Sequence, residues 1–276
     1  MGRYGERWSA SGMKPRPSFP AKIDLGLTKP IEKSAHQQWT PPSQSRLNQG
    51  KLASVSGHGL DSEAVRKNMV QQLADSGVED DMVLQAMQAV ERHLFVDSAL
   101  ANQAYEDTSL PIGFGQTISK PNVVARMLEL LRRGRNLRIT GKLGRVLEIG
   151  TGCGYQAALL SHLATEVYSI ERIKGLHERA KANLRPMRRP NLHLIYGDGM
   201  VGYQEGAPYA GIIAAAGGTE MPQAWLDQLA EGGRLVAPFS SSEGLQSLVV
   251  YDKLAHGFER TVLEPVHFVP LKAGLT

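Results

Sequence analysis

Apolar positions along the chain follow two different rhythms. Before residue 134 they recur at helical spacing. Val65, Met69, Val70 and Leu73 share one face, Met82 to Val90 forms a second short run, and Val123, Val124, Met127, Leu128 and Leu131 mark a third over Lys120 to Arg133. The first helix is expected to start near Asp61–Ser62 and to stop at Gly77. Phe95 and Val96 read as a hydrophobic anchor after the second. Ala104 to Ser119, with Pro111, Gly113 and Gly115, reads as turn-rich, and Gly134 to Gly144 as a basic connection.

From Arg145 the rhythm changes. Short apolar runs at 145–149, 166–170, 192–196, 209–214 and 234–238 read as strands, and Gln156 to Leu163, Gly175 to Leu184 and Pro222 to Leu229 as the helices between them. Ser247 to Asp252 and Arg260 to Phe268 flank His256–Gly257 and read as a closing hairpin. Apolar strands alternating with helices imply a parallel sheet covered on both faces. The predicted fold class is therefore α/β: a doubly wound, mixed, mostly parallel sheet with N-terminal helices and a C-terminal hairpin.

Charge divides the chain. Residues 1–58 carry nine Lys/Arg and three Asp/Glu, whereas residues 59–276 carry 22 and 24, so the basic balance belongs to the beginning. That stretch is rich in Pro, Ser and Gln and is expected to be a disordered, solvated extension, with the folded domain over 59–276 starting near Leu60. A basic tail could touch nucleic acid or an acidic surface, but the folded part is slightly acidic and no nucleic-acid partner is expected. Cys153 is the only cysteine, which fits a reducing compartment. With no signal-like apolar start and no run of 18 apolar residues, a cytoplasmic monomer without a membrane span is expected. The eight histidines have no metal-ligand spacing, so no metal is expected.

The decisive segment is Val146-Leu147-Glu148-Ile149-Gly150-Thr151-Gly152-Cys153-Gly154-Tyr155. A buried strand runs directly into three alternating glycines and then a helix. Glycine serves where the backbone turns sharply and a ligand must approach it, and ligands of doubly wound sheets sit at the carboxyl ends of the strands. The spacing differs from the G-x-G-x-x-G of dinucleotide binders, and no G-K-[ST] sequence follows. Three acids accompany the loop. Glu148 precedes it, Glu171 ends the next strand and could accept from two ribose hydroxyls, and Asp198, in Gly197-Asp198-Gly199, could accept from an adenine amino group. Clustered carboxylates suit a cationic adenosyl ligand and repel a polyphosphate. Cys153 reads as a small buried loop residue rather than a nucleophile.

These motifs resemble those of the Rossmann-like class I methyltransferases. A more specific likeness lies upstream: Ala104-Tyr105-Glu106-Asp107-Thr108-Ser109-Leu110-Pro111-Ile112-Gly113-Phe114-Gly115-Gln116-Thr117-Ile118-Ser119 closely resembles the signature of the protein-L-isoaspartate O-methyltransferase family. Ser169 to Lys174, Gly197 to Gly199, Leu229 to Leu235 and Phe268 to Leu271 continue it, so the likeness covers roughly residues 62–275.

The resemblance implies S-adenosyl-L-methionine as cofactor, S-adenosyl-L-homocysteine as product, and isoaspartyl residues of damaged proteins as acceptors in a repair reaction. It implies that Gln116 to Ser119 cover the cofactor and meet the substrate, with Ser119 in the active site and Thr117 beside it. Gly150, Thr151, Gly152, Gly154 and Gly199 join the three acids in the expected cofactor site. The Val266 to Val269 stretch borders the substrate, with His267 standing where many members have Arg. On its own Ser119 reads as the N-cap of the helix that follows, and both roles can hold together.

Two other readings stay open: transfer to another acceptor, or a non-catalytic module that binds damaged protein. Amino-methylating nucleic-acid enzymes often carry Asn/Asp-Pro-Pro-aromatic after the fourth strand, where this chain has Ala214-Ala215-Ala216-Gly217.

Overall fold

The computed structural model describes residues 63–140, 143–241 and 244–276. The expected extension over 1–58, the domain start near Leu60 and the helix start at Asp61–Ser62 lie outside the described residues.

Helices α1 (Glu63–Asp75) and α2 (Asp81–Ala89) come first, with Gly77 turning the chain between them at φ 101°. α2 starts where it does because the Asp80 carboxylate accepts from the Met82 and Val83 N–H groups. A small hairpin follows, β1 (Leu110–Gly113) with β2 (Gln116–Ile118), and leads into α3 (Pro121–Arg132). Lys120 is the N-cap residue of α3, without a side-chain cap, and Ser119 lies one residue earlier. The α3 terminus is instead held by Asp107, whose carboxylate accepts from the Asn122 N–H at 2.8 Å. Asp107 thus pins the preceding loop to the helix.

The remaining chain builds one seven-stranded sheet. Its strands are β3 (Leu143–Ile149), β4 (Ala164–Glu171), β5 (Leu192–Tyr196), β6 (Tyr209–Ala214), β7 (Leu229–Ser240), β8 (Gln246–Leu254) and β9 (Gly257–Pro265). Helices α5 (Tyr155–Leu163), α6 (Lys174–Leu184) and α7 (Gln223–Gln228) connect them. The order is β5-β4-β3-β6-β7-β8-β9, parallel through β7 and antiparallel at the last two pairings. The chain winds outward from β3 to β5, then returns to the other flank of β3 as β6. A crevice forms at such a reversal, at the carboxyl ends of the strands.

Alternation along the strands places successive residues in two apolar clusters. Val146, Ile213 and Val236 belong to one, and their neighbours Leu147, Ile212 and Leu235 to the other, as a period of two requires. Both faces are therefore dry, and the polar residues left on the central strands stand out.

Two segments differ from the sequence-based expectation. The turn-rich stretch contains the β1–β2 hairpin, whose strands are too short to display a period. The connection after Gly134 contains α4 (Arg135–Thr140), less than two turns long. It is fixed from outside, where Asn136 Nδ2 donates to the Glu231 carbonyl at 3.1 Å and Leu137 packs on the core. Several strand ends also shift, most of all β7, which begins at Leu229 rather than at Arg234.

Candidate active site

At the end of β3 the chain passes through Gly150, Gly152 and Gly154 with φ of 90°, 58° and 93°, the left-handed region that favours glycine. Gly154 is required twice over, because a Cβ there would also meet Leu184 Cδ1 at 2.8 Å. The Gly150 and Thr151 N–H groups donate to the Ile170 carbonyl at 2.9 and 3.1 Å, which ties the bend to the end of β4.

A buried polar network supports this bend from beneath. Glu148 is completely buried; it accepts from Ser169 Oγ at 2.5 Å and from Gln156 Nε2 at 3.1 Å. Ser169 Oγ lies 2.6 Å from Thr151 Oγ1. Burial pushes the Glu148 carboxyl up to about 8, against the opposing pull of its two hydrogen bonds. Burial thus favours the protonated, neutral form of the carboxyl beneath the loop.

Above the loop lies a cavity of about 460 Å³. Gly150 to Cys153 and Gly199 form its floor, Ala215 and Ala216 one side, and Gln116 to Ser119 the roof. Glu171 closes it at the end of β4. Its Oε2 accepts from the Gly152 N–H at 2.8 Å and its Oε1 from the Ile173 N–H at 2.9 Å. A carboxylate has about four acceptor sites, so both oxygens retain capacity towards the cavity.

The roof is the β1–β2 hairpin. Phe114 at its tip has φ 54°, and its ring seats against the start of α6, where a Cβ on Gly175 would lie 2.2 Å from Phe114 Cζ. Arg179 Nη1 donates to the Ile112 carbonyl at 2.8 Å and holds the hairpin to α6. The C-terminal segment meets the same place. The Lys174 N–H donates to the Thr276 carbonyl at 2.8 Å, and the Thr276 N–H to the Arg172 carbonyl at 3.0 Å.

Gln116, Thr117, Ser119, Gly150, Thr151, Gly152, Glu171, Gly199 and Val269 all line this cavity. Glu148 and Gly154 do not; they lie beneath and behind the bend. Asp198 also lies outside the lining. One of its oxygens accepts from the Met200 N–H at 2.9 Å and the other from the Gly274 N–H at 2.6 Å. His267 lines a second cavity of about 450 Å³, and Ser119 lines both. Sequence reasoning missed Phe114, the Arg172–Gly175 turn, Leu271, Lys272 and Thr276. Cys153 is buried, and burial pushes its thiol up, which suits a packing residue.

Among the described residues no cluster of His, Cys, Asp and Glu is arranged to hold a metal, and no helix is long and apolar enough to cross a membrane.

The reversal of the sheet at β3, with a glycine bend and an acid on the neighbouring strand, is the architecture of the class I methyltransferases. Residues 64–276 match the family model described as Protein-L-isoaspartate(D-aspartate) O-methyltransferase (PCMT). This chain belongs to that family.

A Protein-L-isoaspartate O-methyltransferase of Methylibium petroleiphilum is 52% identical over 271 residues, covering 96% of this chain and 99% of the relative. One from Leptothrix cholodnii is 58% identical over 236 residues, covering 85% and 82%. Among solved structures, a Plasmodium falciparum chain described as a protein-L-isoaspartate O-methyltransferase, in complex with S-adenosyl-L-homocysteine, superposes with a TM-score of 0.64. It is 25% identical and covers 75% of this chain and 98% of its own.

Proposed function

We propose that this protein transfers a methyl group from S-adenosyl-L-methionine to the free α-carboxylate of isoaspartyl residues in damaged proteins. The observation that carries the reading is the position of Ser119, in the wall shared by the glycine-floored cavity and the second, outer cavity. A group at that point can face a donor on one side and an acceptor on the other.

The residues present fit the cofactor. The left-handed glycines let backbone approach it, Glu171 retains acceptors for a pair of hydroxyls, and the cavity size is ordinary for such a ligand. Glu148 acts through Ser169 and Thr151 as a positioning residue for the bend, with Gly154 shaping the turn behind it. Asp198 stands at the adenine end, where it also fastens the C-terminal segment. When bound, S-adenosyl-L-methionine supplies a methyl group activated by its sulfonium charge.

The acceptor needs little help from the protein. An isoaspartyl residue runs its chain through the side-chain carbonyl and leaves the α-carboxylate free, with a reference pKa of about 3.5. It is already an anion at neutral pH, so no general base is required. Alignment of acceptor and donor is the main contribution, worth ~7–11 kcal/mol at best. Ser119 donates one hydrogen bond to the carboxylate at the positive end of α3, and Thr117 and Val269 border it. A modest donor is preferable to a strong one, which would stabilise the ground-state anion and slow its attack. The methyl ester formed is set up to collapse to a succinimide without further catalysis.

The reading extends to a monomer at work in the cytoplasm on protein rather than nucleic acid; the slightly acidic balance of residues 59–276 supports the last point. Methyl-labelled cofactor and paired peptides, one with isoaspartate and one with aspartate, test the activity. Label confined to the isoaspartyl peptide is expected. Label in both peptides would point to another acceptor, and label in neither to a binding module.

A further inference from the structure

The second cavity has a charge pattern that the reaction alone does not explain. Its floor is apolar, with Leu248 and Phe268 buried, and its rim carries Lys120, Arg126, Glu264 and His267. The rim charges are not equivalent. Glu264 Oε1 accepts from Arg126 Nε at 2.8 Å, and Arg126 Nη1 donates to the buried Glu129 carboxylate at 3.1 Å. The acid on the rim is thus committed, and so is that guanidinium. Among the described residues Lys120 is held by Asp107 alone, at 3.8 Å and with both side chains about half exposed, while the other Asp107 oxygen is taken by the Asn122 N–H. Such a pair contributes little, so the ammonium remains available to an incoming group.

An isoaspartyl residue whose α-carboxylate points at the cofactor sends both neighbouring residues away from it. From Ser119, away from the cofactor means into this second cavity. We propose that the outer cavity is a subsite for a side chain flanking the isoaspartyl residue, and that Lys120 makes it prefer an acidic one, such as glutamate. The methylenes of that side chain lie on Leu248 and Phe268 while its carboxylate meets Lys120. The Arg126–Glu264 pair sets the strength of the preference, because Arg126 offsets the Glu264 charge that would otherwise repel the carboxylate Lys120 attracts. This inference rests on the activity proposed above.

Steady-state methylation of an isoaspartyl peptide series tests it, with Glu, Gln or Lys placed at the residue before or after the isoaspartate. At one of the two positions the Glu peptide is expected to exceed the Lys peptide in kcat/KM by about 3- to 5-fold, through KM, as for an exposed ion pair. The difference shrinks in about 0.5 M salt. Lys120→Glu inverts the order of the Glu and Lys peptides, and Glu264→Gln, which removes the rim's acid and frees Arg126 Nε while Nη1 stays on Glu129, widens the Glu preference. Equal kcat/KM for Glu and Lys peptides at both positions, or an order that Lys120→Glu leaves unchanged, overturns the subsite. In those cases methylation of the Gln peptide shows that the activity itself stands. Failure to methylate any isoaspartyl peptide would overturn the activity and the subsite together.

Discussion

The Gly274 backbone N–H donates to Asp198 Oδ2 at 2.6 Å, so one carboxylate at the end of β5 holds the C-terminal segment against the cofactor cleft. That segment contributes Leu271, Lys272 and Thr276 to the cavity wall. Asp198 fastens part of the wall, and in the proposed function it also accepts from the adenine amino group at the edge of the cavity. Each of its oxygens has a further acceptor site, so the two roles are compatible. Asp198→Ala removes both and is expected to raise the S-adenosyl-L-homocysteine Kd by about 10-fold or more, the scale of a lost charge-assisted bond. Calorimetric titration measures this. Amide exchange at Gly274 and Thr276 should quicken in the same variant. An unaltered Kd would remove Asp198 from the cofactor site.

Glu148 gives the protein a pH dependence of predictable sign. Its carboxyl ordinarily titrates near 4.5, and burial raises it to about 8 in the fold. Between those values the native state keeps a proton that the unfolded chain has released. Stability is thus fully present below the lower value, falls as pH rises by up to about 1.4 kcal/mol per unit, and is lost above the upper one. Glu148→Gln retains a group of the same shape that cannot titrate. Urea unfolding between about pH 5 and 9 should show the wild-type curve falling more steeply than the variant, by a few kcal/mol across the window. Parallel curves would mean that Glu148 ionises in the fold as readily as outside it.

Gly175 offers a test in which stability and binding move in opposite directions. A methyl group there would lie 2.2 Å from Phe114 Cζ, so the ring must leave its seat and the hairpin roof loosens. Yet alanine is the better helix former, by up to ~1 kcal/mol. Gly175→Ala is therefore expected to keep or raise Tm while weakening S-adenosyl-L-homocysteine binding by about 3- to 10-fold, or roughly 1 kcal/mol. Phe114→Ala should weaken binding similarly. Tight binding in both variants would mean the roof needs no latch at α6.

How legible each feature is in the sequence follows from the range of the contacts that make it. The glycine bend and Glu171 are local: a strand runs into alternating glycines, and an acid ends the next strand, so both could be placed before any coordinates. The β1–β2 hairpin carries only Pro111, Gly113 and Gly115 as a signal, which by themselves read as a loop. α4 depends on Asn136 reaching Glu231 across 95 residues. The outer cavity is less legible still. Arg126 and Glu264 meet across 138 positions, and no spacing rule joins them. Glu148 is instructive in another way. Its place at the loop was readable, but its side chain points into the core, because a period-two strand aims it away from the residues that line the cleft.

In the proposed function Ser119 positions the acceptor, and its removal separates positioning from folding and cofactor binding. Ser119 lines both cavities, its side chain makes no hydrogen bond to another described residue, and it lies outside the N-cap position of α3. Among the described residues no contact depends on its hydroxyl, and Ser119→Ala should unfold at the wild-type temperature and bind S-adenosyl-L-homocysteine within about twofold of wild type. What the variant lacks is the donor that the proposed function assigns to the acceptor carboxylate. A hydrogen bond to a charged group contributes about 1.5–3 kcal/mol, so kcat/KM for an isoaspartyl peptide should fall by roughly 10- to 150-fold. Ser119→Thr, which keeps a hydroxyl at the same point, should recover part of that loss. A loss confined to KM would make Ser119 a binding contact only, and a loss in kcat makes it part of the alignment. Full turnover in Ser119→Ala would place the transfer away from the wall between the two cavities.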